Sequence, residues 1–97
     1  MSPTQVQIKV NALKRLIKEK SLYDQEVSEQ ENFVNHMKAT NADEYEIKKQ
    51  LQVLEESQRM IPELNDKITE HRKELQKFVE LYSGDEDLTE AKSLLSN

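Results

Sequence analysis

Two histidines, His36 and His71, and nineteen carboxylates are the side chains of this sequence that could move protons or hold a metal. The histidines are far apart and neither belongs to the His-Glu-x-x-His spacing that places two imidazoles on one helical face around zinc. In an antiparallel helix pair residue 36 lies near residue 47, so the two are expected to stay apart, exposed or at the edge of a seam. The carboxylates alternate with lysines at helical spacing, which describes a solvated surface rather than a paired acid and base. A phosphate-cradling loop needs several glycines and this chain has one, Gly84. It has no cysteine, which excludes disulfides and thiolate metal sites and fits a reducing cytosol. The reading is therefore of a protein without catalytic, metal or cofactor sites, too thin to exclude water from a reaction.

The elements that would carry such a surface are helices. Ala, Glu, Lys, Leu and Arg make up 43 of the 97 residues, with one Gly and two Pro, a composition of long helices and coiled coils. Leu, Ile, Val and Phe make up 24, enough for a folded chain with a narrow core. The length suits one domain. No apolar run approaches a membrane span and no signal peptide is visible, so a cytoplasmic protein is expected. The net charge is −5, but it is unevenly spread. Lys9, Lys14, Arg15, Lys18 and Lys20 make the start basic, whereas residues 21–46 and 83–97 are acidic. The basic stretch lacks Trp or Phe for a bilayer and aromatic interleaving for nucleic acid, and its apolar face is needed for the core.

Periodicity predicts an all-α, antiparallel three-helix bundle of coiled-coil type in one domain. Helix one spans about 3–39, with Val6, Val10, Leu13, Leu16, Ile17, Tyr23, Val27, Val34 and Met37 on one face and Ser2, Pro3 and Gln5 as its start signal. Helix two spans about 43–82, capped by Asn41 or Asp43, with Ile47, Leu51, Leu54, Ile61, Ile68, Leu75, Val79 and Tyr82 in phase. Pro62 falls in its interior, where the missing N–H and the ring clash cost about 3 kcal/mol. Because the seam keeps its phase from Leu54 through Ile61 to Ile68, one helix bent at Pro62 fits better than two. Gly84 is placed to end it in a left-handed cap, and Asp87 with Glu90 to start a short third helix at about 86–96. Short connections make neighbours antiparallel, so the acidic stretch 85–90 meets the basic start of helix one. Polar residues interrupt the seam: Lys20, Asp24 and Gln30 in helix one, and Gln58, Asn65 and Arg72 in helix two. They either set register or face a partner.

The segment Asp43–Pro62, D-E-Y-E-I-K-K-Q-L-Q-V-L-E-E-S-Q-R-M-I-P, together with Ile8, Lys9, Val10, the run Leu13–Glu19 and Tyr23, closely resembles the tubulin-specific chaperone A (tubulin-binding cofactor A) family from about Gln7 to Leu95. The resemblance implies a three-helix bundle with a proline-bent second helix. It implies a non-enzymatic role: capture of β-tubulin folding intermediates released by the cytosolic chaperonin, and their holding before assembly with α-tubulin. Other tubulin-folding cofactors would be met indirectly, in a cytoplasmic, cytoskeleton-associated setting, by a monomer or homodimer without cofactor. Tyr45, Lys48, Lys49, Gln50, Arg59, Met60 and Pro62 match the family motif and are the candidate contacts for tubulin. After Gly84 little beyond Glu90, Ala91 and Leu95 matches. The competing reading is a coiled-coil adaptor or self-assembly module that does not bind tubulin.

Overall fold

The structure, a computed structural model, describes residues 2–96. It contains three helices, α1 (Gln5–Ala39), α2 (Glu44–Leu81) and α3 (Thr89–Leu95), and no strand among the described residues. Helix α1 starts later than expected because its cap is Thr4, not Ser2. The Gln7 N–H donates to Thr4 Oγ1 at 3.2 Å, and the Thr4 N–H donates to Gln7 Oε1 at 2.9 Å, a reciprocal capping box. The turn after α1 also uses Asn41 differently. Asn41 has φ 56° and closes the helix behind it rather than capping the one ahead. Its N–H reaches the Lys38 carbonyl at 3.3 Å and the Ala42 N–H reaches that of Met37 at 2.9 Å, the two bonds of a Schellman motif. Helix α2 runs through Pro62 without interruption, as the constant seam phase predicts.

Packing divides the chain into two compact units: residues up to Lys18 together with those from Asn65 onward, and Glu19–Leu64. The first unit is an antiparallel three-helix bundle. Val6, Val10 and Leu13 of α1, Ile68 and Leu75 of α2 and Ala91 of α3 are buried in one cluster, flanked by Phe78, Tyr82, Leu88 and Leu94 among others. The expected charge match occurs here: Lys14 Nζ lies 2.7 Å from Glu90 Oε1, and Thr4 Oγ1 donates to Glu86 Oε2 at 2.7 Å. Gly84 does not adopt the left-handed conformation expected of it. Its requirement is steric: a Cβ there would fall onto the Tyr82 hydroxyl, which accepts a hydrogen bond from the Glu86 N–H at 3.1 Å. Helix α3 starts later than expected for a related reason. The Asp87 carboxylate accepts from the Thr89 N–H and hydroxyl in the turn ahead of the helix, while Glu90 turns to Lys14 instead of completing a capping box.

The second unit is the helical hairpin formed by the end of α1 and the start of α2. Its interior is thin, with Val34 and Leu64 buried, while Ile47, Leu51, Leu54 and Ile61 are only half-buried. Polar residues supplement it. Gln30 Nε2 donates to both the backbone carbonyl and Oε1 of Gln50, at 3.1 and 2.9 Å, and Gln58 Nε2 donates to Glu31 Oε1 at 3.4 Å. Lys20 pairs with Asp24 along α1 at 2.8 Å.

Candidate protein-binding surface

The candidate residues all lie on the α2 half of the second unit, but they do not share one face. Tyr45, Lys48, Lys49 and Arg59 project to solvent, as helical spacing requires of positions away from the Ile47–Leu54–Ile61 line. The Tyr45 ring is 62% exposed and lies under the Lys49 ammonium, 4.7 Å from its centroid, so this aromatic presents a ready-made cationic face. Arg59 extends to 4.0 Å from Glu55, one turn earlier on the same exposed side. Pro62 is exposed and Met60 half-buried beside the seam. Gln50 is set apart from the others. Its side chain and carbonyl are both taken by Gln30, so it joins the two helices instead of facing outward.

A second feature of this unit escaped the periodicity argument. Leu22, Phe33 and Val53 are apolar yet roughly half exposed. They are out of phase with the seam, and that mismatch was the readable sign that they do not pack inside. Phe33 and Val53 line a groove of about 390 Å³ between α1 and α2, together with Glu26, Glu29, Gln30 and Ser57. The two histidines fall in different units. His36 is exposed, and His71 Nδ1 lies 2.8 Å from the Lys67 carbonyl. Among the described residues, no three His, Asp or Glu side chains converge as metal ligands, and no helix is long and apolar enough to cross a membrane. What these residues offer chemically is a charged, aromatic-bearing helix face, and in the same unit a groove of mixed character with Phe33 and Val53 among acidic and polar residues, suited to contact with another protein.

Residues 1–95 match the model of the family described as Tubulin binding cofactor A. The Tubulin-specific chaperone A of Saccharomyces cerevisiae is 43% identical over 98 residues, covering 100% of this chain and 92% of the yeast protein. That of Homo sapiens is 38% identical over 87 residues, covering 90% of this chain and 78% of the human one. Among solved structures, the chain resembles Rbl2p, titled a beta-tubulin binding post-chaperonin cofactor, with a TM-score of 0.90 at 42% identity over 96% of this chain and 92% of that one. It also resembles tubulin folding cofactor A from Arabidopsis thaliana, with a TM-score of 0.81 at 28% identity over 94% and 89% of the two chains.

Proposed function

The chain belongs to the tubulin binding cofactor A family, and from that membership we propose that it is a non-enzymatic tubulin-folding chaperone. It captures β-tubulin folding intermediates released from the cytosolic chaperonin and holds them until they assemble with α-tubulin. The observation that carries this reading is the likeness, over nearly the whole of both chains, to a cofactor titled as binding beta-tubulin. The second unit supports it physically, because its α2 face presents Tyr45, Lys48, Lys49 and Arg59 to solvent. A stoichiometric binder needs no more chemistry than this: covering surface on one state of the client draws population into that state by mass action. The same reading places the protein in the cytoplasm beside the cytoskeleton, with other tubulin-folding cofactors met only through the client, and with neither nucleic acid nor membrane as partner.

Retention of recombinant β-tubulin on the immobilised chain tests the proposal. Selective retention over α-tubulin and unrelated acidic proteins is expected, and equal retention of all three would refute it. The half-exposed Leu22, Phe33 and Val53 favour one competing reading, in which a second copy of this chain covers them in a self-assembly module. Sedimentation equilibrium separates the two: a tight dimer that retains no tubulin would establish the alternative.

A further inference from the structure

The first unit shows how this chain covers an antiparallel helix pair. Helix α3 buries Ala91 against Val6 and Val10, and its edge is closed by the ion pair between Glu90 and Lys14. There the acidic stretch 85–90, which leads into α3, meets a basic segment of α1. The second unit consists of a helix pair alone. One wall of its groove is the α1 stripe Glu26, Glu29, Gln30 and Phe33, whose three- and four-residue steps put all four on one face. The other wall is Val53 and Ser57 of α2. Leu22, Phe33 and Val53 keep 51%, 47% and 45% of their surface exposed. No Lys or Arg lines the groove, and the unit around it carries eleven acids against five Lys and Arg. The Lys49 ammonium is engaged on Tyr45, and Lys20 on Asp24.

We propose that this groove is the seat of a basic amphipathic helix of the client. Apolar residues at three-four spacing would rest on Phe33 and Val53, and flanking Lys or Arg would reach Glu26 and Glu29. The proposal rests on the reading that the chain holds a protein client; it adds the surface and the chemistry of the bound segment. Charge selects the occupant. Glu26 and Glu29 repel an acidic peptide or an anionic bilayer and attract a cationic one. From Glu26 to Phe33 is a rise of seven residues, about 10 Å of helix, the length of about two turns of a partner lying along it. The apolar contact supplies most of the affinity, whereas the exposed carboxylates set orientation and on-rate.

The test has two arms. In the first, a synthetic Leu/Lys amphipathic peptide is titrated into the isotope-labelled chain. Amide shifts are expected to cluster at Glu26, Glu29, Phe33, Val53 and Ser57, to weaken with salt, and to need about tenfold more peptide when Glu26→Lys and Glu29→Lys are combined. Shifts spread along all acidic faces, or concentrated elsewhere, would overturn the proposal. So would groove shifts that appear without peptide as the chain is concentrated, because they would assign the groove to a second copy. In the second arm, β-tubulin retention is compared for the native chain, for Phe33→Asp with Val53→Asp, and for Leu81→Asp as a control in the first unit, with circular dichroism confirming helix content. Loss for the groove variant alone is expected. If the native chain retains β-tubulin and the groove variant does so equally, the groove proposal fails and the chaperone reading stands. If the native chain retains none while the peptide maps to the groove, the chaperone reading fails and the basic-helix site stands.

Discussion

Gly84 and Asp87 show how much a single side chain decides near the third helix. A methyl group at position 84 would displace the Tyr82 ring, which packs 5.8 Å from Phe78 between centroids and holds the Glu86 N–H. Gly84→Ala is therefore expected to destabilise the protein by about 1 kcal/mol in urea unfolding, the lost hydrogen bond and packing outweighing the entropy gained from the unfolded chain. In a Tyr82→Phe background the same change should cost less, because the hydrogen bond to the Glu86 N–H is already gone and the ring, which a Cβ would still meet at Cζ, can shift without breaking it, so the two substitutions should not add. Asp87 carries a different signature. The Thr89 hydroxyl, donating at 2.6 Å, is the main cause that holds its carboxyl below the usual 3.8, followed by the Thr89 N–H, with Lys92 adding a smaller effect. A depressed folded-state pKa contributes stability that is present above about pH 3.8 and is lost as the pH falls through the lower folded value. An NMR titration should find the Asp87 pKa rising back toward 3.8 in Thr89→Val, and an unmoved pKa would show that the hydroxyl is not its cause.

At the scale of the elements, helix ends and a helix interior each make a claim. Thr4→Ala removes the side-chain half of the capping box and the bond to Glu86, and should cost about 1 kcal/mol, with Thr4→Ser recovering most of it. Pro62→Ala restores a donor for the Gln58 carbonyl inside α2 and should raise stability by about 1–3 kcal/mol without loss of helicity by circular dichroism. The helices themselves were legible in the apolar spacing, including the passage of α2 through Pro62, because seam phase is a long-range pattern that one proline does not erase. Their ends were harder to read, because several residues compete for one role. Ser2 and Thr4 both suit an N-cap, and Asn41 suits the end of one helix as well as the start of the next. Only the backbone conformation at Asn41, φ 56°, separates the two uses.

For the molecule as a whole, the two units differ in how they are held. Leu13 and Leu75 are fully buried in the first, and truncating either to Ala should cost about 2–5 kcal/mol. In the second, Val34→Ala removes less volume from a thinner interior and should cost about 1–2 kcal/mol. Amide hydrogen exchange should accordingly protect the α1 and α2 segments around Leu13 and Leu75 more strongly than residues 19–64, and equal protection would contradict the difference in burial. This scale also marks where the candidate surface was and was not readable. Tyr45, Lys48, Lys49 and Arg59 were found from the family motif and do face solvent. Gln50 belongs to the same motif, yet its engagement by Gln30 depends on the register between two helices, which a single strand of letters does not contain. Phe33 and Val53 stand out of phase with the seam, so apolar periodicity alone does not single them out. The Gln30–Gln50 pair has a mechanical consequence. Sliding α2 past α1 by one heptad would bring Ser57 or Asp43 opposite Gln30, and either is too short to replace Gln50. The Gln30 amide would keep at most a backbone acceptor and lose its side-chain one, at a cost of about 0.5–1.5 kcal/mol. The pair thus works as a detent: under a shearing load the hairpin should resist and then yield in a step, instead of creeping gradually out of alignment.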